Sequence, residues 1–179
     1  KREGKYLVWY TNASGVIKKG SGWKTGMDAA LLGWESTFKK DLNGDGLTGK
    51  PVLKDSDDDG FVDGINKYYL FNSGKAIALK NRRGKHFSDS SAKNWDAVAA
   101  IKSGSGYQVL LDGAAKREGK YLVWQTTASG MIKKGSGWKT GVDAALLGWE
   151  SLFEKDLNGD GLTGKPVIRD ADGDGLVDG

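Results

Sequence analysis

The residues best placed to do chemistry are acidic and lie at alternate positions ahead of a glycine. One such run is Asp156-x-Asn158-x-Asp160-Gly161, and a second, fourteen residues on, is Asp170-x-Asp172-x-Asp174-Gly175-x-x-Asp178. Both have counterparts upstream: Asp41-x-Asn43-x-Asp45-Gly46 and Asp55-x-Asp57-x-Asp59-Gly60-x-x-Asp63. Hard cations such as Ca²⁺ take six to eight oxygens, and oxygen-bearing side chains at every second position wrap a short loop around one ion. The glycine turns the chain so that the next carbonyl points inward. That carbonyl belongs to Leu47, Phe61, Leu162 or Leu176. Asp-Gly strings also make ordinary turns, but four such loops in 179 residues point to Ca²⁺ as the cofactor.

Stepping outward, the shorter loops follow a helical pattern. Val142, Ala145, Leu146, Trp149, Leu152 and Phe153 form an i, i+3, i+4, i+7 stripe, which predicts one amphipathic helix running into the loop like the entering half of an EF-hand. The exit differs. Position 12, where an EF-hand places a bidentate Glu, is Val52 or Val167, preceded by Pro51 or Pro166, and proline there blocks an exiting helix. The missing oxygens would come from water, carbonyls or the next acidic loop.

Residues 1–64 and 116–179 align without a gap and differ at eleven positions, so 53 of 64 are the same. Such long-period self-similarity marks a tandem array. A weaker echo, offset by 54 residues, sets Trp95-Asp96-Ala97-Val98 on Trp149-Glu150-Ser151-Leu152. Each half-unit then reads strand, turn, strand, helix. Strands are expected at 67–72, 76–80, 107–111, 120–127 and 131–134. A helix is expected over 92–102, capped by Ser90 or Ser91, with Trp95, Val98 and Ala99 near helical spacing. The expected architecture is α+β, a tandem repeat of modules with an antiparallel sheet and two helices, joined by calcium-binding loops. Its divisions are 1–49, the second half of a preceding module; 50–65, an Asp-rich linker; 66–164, a complete module; and 165–179, the start of the next linker. The half-unit at 1–49 lacks the partner half that 66–111 supplies to the complete module. Without a cation, like charges in the 50–65 linker repel, which predicts an extended hinge.

These residues carry a resemblance. Tyr-Leu-Val-Trp, an Ala-Ser-Gly turn, and Trp-Glu-x-x-Phe-x-x-Asp-Leu-Asn-Gly-Asp-Gly-x-x-Gly resemble the tryptophan-rich C-terminal domain repeats of large secreted cyanobacterial, haemolysin-like proteins. The similarity covers 66–164 and the latter half of a module at 1–49. The acidic linkers resemble thrombospondin type 3 calcium loops. The resemblance implies an extracellular, calcium-associated repeat and transfers no catalytic residues.

Composition narrows the alternatives. The chain has 38% apolar residues and no cysteine, so any stapling falls to metal loops rather than disulfides. No apolar run is long enough to span a bilayer. The four loops hold thirteen of the 23 acidic residues, leaving ten against 27 Lys and Arg, an excess of seventeen positives elsewhere. A basic surface of that kind suits an acidic polysaccharide; no nucleic-acid partner is expected. Of seven tryptophans, Trp9, Trp34, Trp95, Trp124 and Trp149 sit in apolar patterns and are expected in the core. Trp23 and Trp138, in Gly-Ser-Gly-Trp-Lys-Thr-Gly loops, are the candidates for stacking on a glycan. Glu35 and Glu150 lack the facing carboxylate a glycosidase needs, and His86 has no nucleophile pattern beside it. No enzyme is expected. The functional expectation is a calcium-stabilised structural or adhesive repeat of a long extracellular or cell-surface protein, partnered by neighbouring repeats and other copies. A carbohydrate-binding module is the alternative.

Overall fold

Residues 106–113 read as an apolar run bounded by glycines, and they form the strand on which the larger part of the molecule is built. The computed structural model describes residues 3–63, 65, 67–88 and 91–164. The chain divides into two compact units. One comprises Lys1–Lys54 with Asp63–Ile65, the other Asp55–Val62 with Asn66–Gly179. The fold is mixed α+β, with small antiparallel sheets and four short helices among the described residues.

In the first unit, β1 (Lys5–Tyr6) pairs antiparallel with β4 (Lys24–Thr25), and β2 (Trp9–Thr11) with β3 (Ile17–Gly20). Two helices follow, α1 (Gly26–Leu31) and α2 (Trp34–Phe38).

The second unit opens with a hairpin of β5 (Tyr69–Asn72) and β6 (Lys75–Ala78). Its main sheet runs in the order β10 (Ile132–Gly135), β9 (Lys120–Thr126), β8 (Gly106–Gly113), β7 (Trp95–Ser103), and β11 (Lys139–Thr140) also pairs with β9. Side chains alternate across a strand, so β8 serves two cores. Tyr107, Val109 and Leu111 join Phe61, Tyr68, Leu70 and Leu79 on one face. Leu110 joins Val123, Ala144, Phe153 and Leu157 on the other, where α3 (Gly141–Leu146) and α4 (Trp149–Phe153) lie. Leu70, Leu79, Val109 and Leu110 are wholly buried, and each such side chain contributes about 1.5–3 kcal/mol.

Two expectations change here. The segment expected as a helix over 92–102 is the edge strand β7, paired with β8 along its length. A β-bulge between Ala97 and Ala99 sends these two buried alanines to different core clusters, Ala97 to the first and Ala99 to the second, so the alternation that announces a strand is interrupted. The single helix through Val142–Phe153 is two helices. Gly148 adopts a left-handed conformation (φ 77°) between them, as glycine does without strain. The turn breaks the apolar stripe. Ala144, Ala145, Phe153 and Glu150 are buried, whereas Val142, Leu146, Leu147 and Leu152 face outward.

Candidate metal centre

The loop Asp55–Val62 is the acidic element most firmly built into the second unit. Asp59 carbonyl accepts the Ala100 N–H (2.7 Å), Gly60 carbonyl accepts from Phe71 (2.8 Å), and Val62 N–H donates to the Tyr69 carbonyl (2.8 Å). The loop therefore meets the outer edge of β7 at Ala100 and satisfies a backbone N–H there. Phe61 and Val62 are buried, and the Phe61 ring packs against Tyr68 at 5.9 Å. Gly60 has φ +84°, and a Cβ there would lie 1.9 Å from the Ala100 carbonyl oxygen. Residues 55–62 of the expected 50–65 linker are thus docked on β5 and β7, where the charge count predicts an extended hinge. Backbone pairing and the two apolar anchors outweigh repulsion among exposed carboxylates, which solvent screens.

Docking gathers the ligands. One carboxylate oxygen each of Asp55, Asp57 and Asp59 lie within 4.8 Å of one another. Asp55 Oδ2 accepts the Gly60 N–H (3.0 Å) and Asp59 Oδ1 accepts the Phe61 N–H (2.8 Å). Asp55 Oδ1 is buried and has no hydrogen-bond partner among the described residues. A buried oxygen of this kind costs about 1–3 kcal/mol unless something satisfies it. Three clustered carboxylates, one with an orphaned oxygen, fit a hard divalent cation, and the all-oxygen donor set selects Ca²⁺ or Mg²⁺ over softer metals. Burial raises both Asp55 and Asp59 above the ordinary carboxylate value; the neighbouring carboxylates add to the rise, while backbone N–H bonds, and Lys155 at Asp59, oppose it. A cleft of about 370 Å³ adjoins the loop, lined by Asp57–Asp59, Ala99–Ile101 and Leu152–Lys155. Asp58 holds φ +54° where the sequence copy has Gly173.

The shorter loops are organised differently. Asp41 accepts from Gly44 (2.7 Å) and Gly46 (2.9 Å), Asn43 Oδ1 accepts from Asp45, and Asp45 Oδ1 accepts from Leu47. Asp156, Asn158, Asp160 and Leu162 repeat each bond within 0.1 Å. The backbone N–H bonds hold Asp41 and Asp156 below the ordinary carboxylate value. Asp63 lies in the first unit, its N–H donated to the Lys54 carbonyl. Asp170, Asp172, Asp174, Leu176 and Asp178 fall outside the described residues.

Sequence reasoning missed the residues that pin these loops. Glu150 is wholly buried in α4, and its Oε1 accepts the N–H groups of Leu157 (2.9 Å) and Asn158 (3.1 Å). Glu35 does the same for Leu42 and Asn43. Seven residues separate each glutamate from the first N–H it holds, a local spacing visible in the sequence once a buried role is considered. Oε2 of both is buried with no partner among the described residues.

The tryptophans divide between core and surface. Trp95, Trp124, Phe87 and Tyr68 form a continuous aromatic cluster, with Trp95 and Trp124 edge-to-face at 4.9 Å. Trp34 is buried. Trp9, expected in the core, is 63% exposed. Trp138 packs against the first core cluster, and the Arg117 guanidinium sits 4.7 Å from its ring centroid; one face of this candidate glycan platform is covered. Trp23 is exposed. His86 lies edge-on to Tyr69.

This arrangement of Trp95, Trp124, Trp138 and Trp149 around one sheet coincides with a known sequence family. The model of the tryptophan-rich Synechocystis species C-terminal domain matches residues 60–164. The chain belongs to this family. The match takes in the tryptophan-rich domain from β5 through the second DLNGDG loop, and begins just after Asp59. No curated protein and no solved structure matches the chain. No helix among the described residues is long and apolar enough to cross a membrane.

The opposite shifts of the two loop types give an expected pH response of the cation-free protein. A carboxyl raised on folding, as in Asp55 and Asp59, adds stability that is present below its unfolded value and lost as pH rises through the folded one. The Asp55–Val62 loop should therefore loosen as pH climbs through the raised values. Asp41 and Asp156 are lowered, so their loops keep that stability above the unfolded value and lose it as pH falls through the folded values. Amide protection factors in chelator, corrected for intrinsic exchange, should fall with rising pH at Gly60 and Ala100, and with falling pH at Gly46 and Gly161.

Proposed function

We propose that this chain is a calcium-stabilised structural or adhesive repeat of a long extracellular or cell-surface protein. The single observation supporting this is the orphaned, buried Asp55 Oδ1 within a three-carboxylate cluster. Asp55, Asp57 and Asp59 would hold the Ca²⁺ ion, which would satisfy that oxygen, offset their mutual repulsion and hold the loop on β7. The loop belongs to the second unit and in sequence lies between Lys54 and Asp63 of the first. Modules joined this way would stiffen in the millimolar calcium found outside cells. The excess positive charge outside the loops suits an acidic polysaccharide as a further partner.

Small-angle scattering on the full chain tests the mechanical part. Millimolar Ca²⁺ should narrow the distribution of particle dimensions relative to chelator, and Asp57→Asn with Asp59→Asn should abolish the difference. Identical profiles with Ca²⁺ and with chelator would show that calcium does not set the connection.

A further inference from the structure

Residues 5–11 and 120–126 differ only at Tyr10 and Gln125, yet they end in different environments. Residues 120–126 form the continuous strand β9, flanked by β10 and β11 on one side and by β8 on the other. Residues 5–11 form two fragments, β1 and β2, interrupted at Leu7 and Val8. They pair with β4 and β3, the counterparts of β11 and β10, and no strand takes the place of β8 among the described residues. The side chains record the same absence. Leu122 and Val123 are buried, whereas Leu7 and Val8 are half-buried. Phe153 is 6% exposed and its copy Phe38 is 54% exposed. Trp124 packs on Trp95 and Phe87, while Trp9 stands open. Where Ala99 and Leu110 meet Val123, Phe153 and Leu157 in the second unit, the first unit has an apolar cavity of about 370 Å³ lined by Val8, Trp9, Trp34, Phe38 and Leu42.

We infer that the free edge of residues 5–11, with this cavity behind it, is the docking surface for a β-hairpin of the β7–β8 type supplied by a further repeat of the same family. The hairpin would add a strand to the open edge by backbone pairing and set a Leu110-like side chain into the cavity. The near-identity of the two half-units names the partner: whatever sequence completes residues 120–126 has the shape and register to complete 5–11. A second copy of residues 1–179 is a poorer source, because the β7–β8 hairpin among its described residues is already paired with β9.

The test uses the full chain extended at its amino end by an additional copy of residues 66–115. In the extended chain, Trp9 fluorescence should shift to the blue, and amides of residues 6–11 should exchange at least tenfold more slowly than in the unextended chain. Replacing Val109 and Leu110 by Asp in the added copy alone should cancel both changes, which leaves the resident sheet untouched. Residues 6–11 that stay unprotected in the extended chain would overturn the inference. So would protection of the same amides in the unextended chain that grows with protein concentration, which would assign the surface to a second copy.

Discussion

Glu150→Ala should lower the stability of the second unit by about 3 kcal/mol, from the N–H groups of Leu157 and Asn158 left buried without an acceptor. Glu150 is wholly buried, and its Oε1 is the acceptor for both groups. The side chain therefore fastens the DLNGDG loop to α4, and with it Leu157, a member of the second core cluster. Truncation removes both of these bonds and leaves a void where a wholly buried side chain stood. Glu150→Gln keeps the Oε1 acceptor and should cost much less. Thermal unfolding followed by near-ultraviolet dichroism separates these outcomes. A small loss in Ala equal to that in Gln would show that the two N–H bonds contribute little.

Gly60→Ala should release the acidic loop from β7. The new Cβ would stand 1.9 Å from the Ala100 carbonyl oxygen and 3.0 Å from its Cα, on a residue held at φ +84°. Neither strand nor loop can yield that much without breaking the Ala100 N–H bond to Asp59, so the carboxylates disperse. Divalent-cation affinity should fall tenfold or more, equivalent to about 1.4 kcal/mol. Gly46→Ala is the natural control. It has a similar φ of +81° but open space around the built Cβ, so it should show only left-handed backbone strain of about 1–2 kcal/mol and leave cation binding at Asp55–Asp59 unchanged. Calorimetric titrations of the two variants measure the contrast.

The sheet and turns were legible where a short β-rich apolar run lies between polar residues or glycines, as in β8 and β9, and where Ser-Gly or Ala-Ser-Gly marks a hairpin. β7 was not, because its bulge sends Ala97 and Ala99 to opposite faces of the sheet and breaks the two-residue period; the echo of Trp149-Glu-Ser-Leu in Trp95-Asp-Ala-Val reinforced the error. The α3–α4 break lay in plain view at Gly148, but the apolar stripe on either side outweighed a single glycine. Among site residues, the Asp55, Asp57 and Asp59 spacing announced a cluster. Nothing local could show that Asp59 and Gly60 dock on β7, since that contact joins residues some forty positions apart. Trp9 looked like core because its sequence is that of Trp124. Sequence records what a strand can bury, while the neighbouring strand decides what it does bury.

The central claim is that the Asp55–Asp59 loop takes a divalent cation, and residue-resolved magnetic resonance of the full chain titrated with Ca²⁺ tests it most directly. The account predicts saturable shifts at the amides of Gly60, Phe61 and Ala100 with a dissociation constant on the order of 10⁻⁴–10⁻³ M, lost when Asp55, Asp57 and Asp59 are changed to Asn. Resonances of those three amides that stay still through millimolar Ca²⁺ would contradict it.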